Sequence, residues 1–146
     1  MSGADPALLA GLRLLRARAW FEAHEALEDL WREHPEGQRR EALQALIQHA
    51  VALEHLARGN ALGAFNVWSR AKARAKKLPG ELEGIDLAGW GAALERFYAE
   101  VDLAQRVRGQ LEGGVAAGEA HIELPPLPPA ATWPTPPLSE ELEAQL

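Results

Sequence analysis

Apolar residues recur every three or four positions through the first 112 residues, and the recurrence divides into five stretches. Leu8, Leu9, Leu12 and Leu15 form the inner face of a first helix, with Asp5 as N-cap and Pro6 in the first helical position, ending near Arg18. A turn is expected around Ala17–Ala19. The second helix, Trp20 to Glu33, stops at His34-Pro35, because the residue before proline avoids the α region. The third, about Gln38 to Arg58, carries Leu43, Leu46, Ile47, Ala50, Val51, Leu53, Leu56 and Ala57 around most of its circumference, the mark of a buried helix. Gly59 and Asn60 predict a tight antiparallel turn into a fourth helix, about Ala61 to Leu78, with Ala64, Phe65, Trp68, Ala71 and Ala75 facing inward. After Pro79-Gly80 and a loop, Asp86 caps a fifth helix of about Leu87 to Leu111, whose inner face is Trp90, Leu94, Phe97, Tyr98 and Val101. Gly113-Gly114 closes it.

The pattern then changes. Seven prolines lie between Leu124 and Leu138, a composition that favours extended polyproline II over a packed helix. The expected architecture is all-α: a single-domain bundle of about five helices over residues 1–112. A glycine- and proline-rich tail over residues 113–146 would follow, with Leu127 and Trp133 available to pack on the bundle.

Composition narrows the chemistry. A chain of 146 residues suits one core, and its lack of cysteine excludes disulfides, thiolate catalysis and cysteine-ligated zinc. No run approaches the ~20 apolar residues of a membrane span, so a cytoplasmic protein is expected. The net charge of −6 speaks against nucleic acid as a partner. It is unevenly spread: residues 55–80 hold six cations and no carboxylate. The basic patch Arg70, Lys72, Arg74, Lys76 and Lys77 is read as a solvated face whose last turn complements the helix dipole. A homo-oligomer remains open, with His49 turned about 140° from the Gln44 and Gln48 side, toward solvent or a partner subunit.

Polar residues on apolar stripes are the candidates for chemistry. At about 100° per residue, Trp20, His24, Leu27, Glu28 and Trp31 share one sector of the second helix. In the third helix Gln44, Gln48 and His55 lie within about 60° of one another. Antiparallel packing of the two helices would let His24, Glu28, Gln48 and His55 converge. Two readings follow. One is a structural network, or a binding site, in which each polar group satisfies another. The alternative is a metal-dependent hydrolase: a divalent metal ion on His24, Glu28 and His55, with Gln48 orienting a water and Glu25 as a base. His24-Glu25-Ala-Leu-Glu28 falls one histidine short of the H-E-x-x-H zinc signature. No other cofactor is indicated, and the chain has no P-loop, G-x-S-x-G or dinucleotide fingerprint.

Three blocks carry a family resemblance. Trp20-Phe-Glu-Ala-His-Glu-Ala-Leu-Glu-Asp-Leu-Trp31, then Leu43-Gln-Ala-Leu-Ile-Gln48-His-Ala-Val-Ala-Leu-Glu-His55, then Arg58-Gly-Asn-Ala-Leu-Gly-Ala64 resemble the domain of unknown function 309 family in order and separation. The likeness spans about Gly11 to Leu78. It implies a small helical bundle and, by a label sometimes attached to the family, a metal-dependent hydrolase. By motif it points to His24, Glu25, Glu28, Trp31, Gln48 and His55.

Overall fold

Helix α1 (Pro6–Arg16) opens with Asp5 Oδ1 accepting the Ala7 amide at 2.9 Å, so one of the first turn's unpaired N–H groups is satisfied. The computed structural model describes residues 3–113 and 124–146. Arg18, at a left-handed φ of 56°, turns the chain into α2 (Trp20–Glu33). Extended His34 ends α2 ahead of Pro35, and α3 (Gln38–Ala57) follows. Asn60 caps α4 (Ala61–Ala75), its Oδ1 accepting the Gly63 amide at 2.9 Å. Joined by short turns, the four helices pack pairwise in chain order. Helix α3 is the centre, with ten buried residues, and Gln44, Gln48, Val51 and His55 form a half-exposed stripe along it.

The fifth helix is two helices. It breaks after α5 (Leu87–Glu100), and α6 (Leu103–Leu111) restarts in a new direction. Asp102 takes a left-handed φ of 55°, which aspartate tolerates better than most residues. Arg106 Nε donates to the Val101 carbonyl at 2.6 Å, satisfying an acceptor that the break frees. The break lays α6 against α4, where Gln110 accepts the Leu62 amide at 2.9 Å and donates to Asn60 Oδ1 at 2.9 Å.

The loop before α5 is a hairpin, β1 (Glu81–Leu82) paired antiparallel with β2 (Ile85–Asp86). Glu83 and Gly84 both have positive φ, 51° and 91°, the requirement of a type I′ turn. Leu138 bridges to buried Ile85, while the Asp86 amide donates to the Pro137 carbonyl at 2.9 Å. The C-terminal segment is thereby pinned to the hairpin. A short α7 (Glu140–Glu143), capped by Ser139, buries Leu142. Upstream, Trp133 is 2% exposed, stacked on Trp20 with ring centroids 5.0 Å apart and against Phe97 at 5.1 Å. The Trp133 carbonyl accepts two bonds from Arg18, and Trp90 Nε1 donates to the Pro134 carbonyl at 3.1 Å.

Three expected orientations are corrected. Ala75, at the end of α4, is exposed rather than inward-facing. Phe65 is 40% exposed, at the edge of α4's inner face. His49 is 5% exposed, because Trp90 of α5 lies against its ring with centroids 4.9 Å apart. His121, which its place near the tail predicts to be exposed, lies outside the described residues.

Gly11 sets the α1–α2 approach. A Cβ there would fall 2.5 Å from Leu27 Cδ2 and 2.8 Å from its Cγ, inside a filled core. Gly91, in α5, has no neighbour within 4 Å of the same position. Gly11→Val is therefore expected to cost about 2 kcal/mol through overpacking, whereas Gly91→Ala should gain up to about 1 kcal/mol from helix propensity. Urea unfolding of the two variants checks the opposite signs.

Candidate functional site

The polar stripe of α2 closes on itself. His24 Nε2–H donates to Glu28 Oε2 at 2.7 Å one turn later, and Arg32 donates to the other carboxylate oxygen. Both side chains are half-buried. With both oxygens engaged, Glu28 has its strongest acceptor positions committed within its own helix. Glu25 is exposed on the outer side of α2.

His55 is bound elsewhere. Asn60 Nδ2 donates to His55 Nδ1 at 3.2 Å, and Asn60 Oδ1 accepts from the Gly63 amide and from Gln110. The imidazole thus buttresses the α3–α4 turn and, through Asn60, the docking of α6. The metal set His24, Glu28 and His55 does not assemble. Among the described residues no three His, Asp or Glu side chains come together as a metal site. The physical reason is local: each histidine has a nearer partner, one turn away for His24 and across the helix turn for His55.

Gln44, Gln48 and Trp31 go to a third place, an open groove of about 1030 Å³ between the end of α2, the first half of α3 and the second half of α4. Gln48 Oε1 accepts from Arg74 Nε at 3.3 Å, which leaves its amide NH₂ to donate outward. Arg74 also pairs with Glu41. Arg40 lays its guanidinium over the Trp31 ring, 4.5 Å from the centroid, and donates to the His34 carbonyl at 3.3 Å. Arg70, Lys77 and Glu36 complete the charged lining. The cluster proposed from helical geometry is thereby dispersed into a pair (His24, Glu28), a turn buttress (His55) and a groove wall (Trp31, Gln44, Gln48).

The basic patch splits as well. Arg70 and Arg74 on α4 and Lys77 in the turn after it line the groove, whereas Lys72 and Lys76 do not. Lys72 sits over the Trp68 ring at 3.8 Å. The i, i+4, i+7 spacing of Arg70, Arg74 and Lys77 is the sequence signal that sets these three apart from Lys72 and Lys76. Arg40 had none, since its role depends on Trp31 arriving from α2.

Away from the groove, burial lowers the His49 imidazole from 6.5 to about 4 and raises the Tyr98 hydroxyl above its ordinary range. His49 Nδ1 and the Tyr98 hydroxyl have no hydrogen-bond partner among the described residues. Among the described residues no helix is long and apolar enough to cross a membrane.

The comparisons give one family likeness and are silent on activity. The model described as domain of unknown function, DUF309, matches residues 8–67, from α1 to the first half of α4. A relative from Bacillus subtilis (strain 168), described as "Uncharacterized protein YpuF", is 47% identical over 47 residues. That alignment takes in 32% of this chain and only 27% of the relative. No solved structure matches. Trp31, Gln44 and Gln48 fall inside the matched segment, while Arg70, Arg74 and Lys77 lie beyond it. Over residues 8–67 the chain is thus similar to this family of unknown function.

Proposed function

We propose that the chain is a binding module whose ligand site is the groove walled by Trp31, Gln44 and Gln48. One observation carries this reading. The polar residues that should be buried on α3 instead line an open groove of about 1030 Å³, at the upper end of the range typical of small-molecule sites. Beneath them the core is closed: Leu43, Leu46 and Ile47 are each at most 5% exposed. The groove floor is therefore rigid, and its amides and indole are fixed from below. The metal-hydrolase alternative gains no support, because its three ligands are separately engaged.

A survey of neutral and charged small molecules by amide NMR tests the reading. Binders should shift the Gln44 and Gln48 side-chain amides and the Trp31 indole, and Gln48→Ala should weaken them about tenfold through loss of a buried-edge hydrogen bond. Binders that shift only the exposed Phe21 and Phe65 region would place the site elsewhere and defeat the proposal.

A further inference from the structure

Resting on the groove as a ligand site, we propose that it takes a polyphosphate-bearing small molecule, held by Arg40, Arg70, Arg74 and Lys77. The first argument is charge distribution. The chain carries −6 overall, yet the groove lining holds these four cations against two carboxylates, Glu36 and Glu41. An anion is repelled by most of the surface and attracted here.

The second argument is that helix electrostatics do not explain the cations. Lysine and arginine in the last turn of α4 complement its dipole, which accounts for Arg74, and Lys77 follows just past the helix end. Arg70 lies a turn too early for that. Arg40 lies in the first turn of α3, where the dipole disfavours a cation. Its neighbour Arg39 is compensated by Asp5 and Glu83, but neither Arg40 nor Arg70 has a carboxylate partner among the described residues. Stacking on Trp31 holds the Arg40 guanidinium in a fixed plane, suited to forked donation to a phosphoryl group.

The third argument is length. Arg70 and Arg74 are about 6 Å apart along the helix axis at 1.5 Å per residue, and Lys77 extends the row into the turn that follows Ala75. Two or three phosphoryl groups in a row match that span; a single phosphate does not. A nucleic acid would need a longer cationic track than one groove supplies on an otherwise acidic chain. Glu41 already occupies Arg74, so it acts as an internal competitor that the ligand must displace.

Calorimetry of the full chain with inorganic tripolyphosphate, orthophosphate and a single-stranded oligonucleotide tests this at about 0.15 M salt. Tripolyphosphate should bind at least about tenfold tighter than orthophosphate. Arg70→Gln and Lys77→Gln together should weaken it about tenfold or more, while Lys76→Gln, with a charge change of the same sign outside the groove lining, should change it less than about twofold. Glu41→Gln should tighten it about threefold by freeing Arg74. An equal loss in Lys76→Gln would reduce the effect to diffuse attraction, and unaltered binding in Glu41→Gln would remove Arg74 from the site. Tighter binding of the oligonucleotide would make the partner a nucleic acid. No tripolyphosphate binding at about 1 mM overturns the proposal, and neutral binders found in the groove by the NMR survey would then leave the groove reading standing.

Discussion

Trp133→Ala is expected to lower the stability of the chain by about 3–5 kcal/mol, the range for deleting a fully buried indole. The ring is 2% exposed and fills the space between Trp20 at the start of α2 and Phe97 on α5. Its Nε1 donates to the Pro128 carbonyl at 2.9 Å, so truncation also strands an acceptor. Beyond the lost burial, nothing nearby is positioned to collapse into the void, because Trp20 and Phe97 are held by separate helices. Against a total stability of about 5–15 kcal/mol, such a loss removes a large share. Urea unfolding should show a lower midpoint with an unchanged slope. A loss under about 1 kcal/mol would mean that the C-terminal segment only rests on the bundle.

Acidification supplies the second large effect. Burial holds the His49 imidazole at about 4 when folded, against 6.5 when unfolded. Below pH 6.5 the unfolded chain therefore takes up a proton that the folded chain refuses, and stability falls with pH until the folded form also protonates below about 4. The shift corresponds to about 3 kcal/mol across that window. His49→Leu keeps much of the volume against Trp90 and removes the titration together with the unpartnered Nδ1. Unfolding free energies measured from pH 7 to pH 4 should diverge, with the parent chain losing about 3 kcal/mol more than the variant. Parallel curves would show that the folded protein accommodates the imidazolium.

The helices that a single stretch of chain determines were legible in the sequence. Helix α2 ends at residue 33 because Pro35 constrains its predecessor, and α4 begins at residue 61 because Asn60 caps it. The break at Asp102 was not legible: no glycine or proline marks it, and its cause is the docking of α6 on α4. His49 was misjudged for a related reason, since the ring that lies against it, Trp90, arrives from α5. The same limit governed the polar residues. Angular position grouped His24 with Glu28 on α2, and Gln44 and Gln48 with His55 on α3, on faces expected to be buried; all five are only half-buried, and angle alone does not say which partner arrives first. Asn60 reaches His55 from the turn, and Arg74 reaches Gln48 from α4, before residues of α2 can.

The contact between the two ends of the described chain has a consequence of its own. The Ala4 amide donates to Gln145 Oε1, and Arg13 donates to the Gln145 carbonyl at 2.7 Å. The backbone is therefore nearly a closed ring, and the order in which its helices are written along the chain is separable from how they pack. A circular permutant that joins these ends by a short linker and opens at the exposed Pro79–Gly80 loop would retain the groove and its walls, at a small closure entropy.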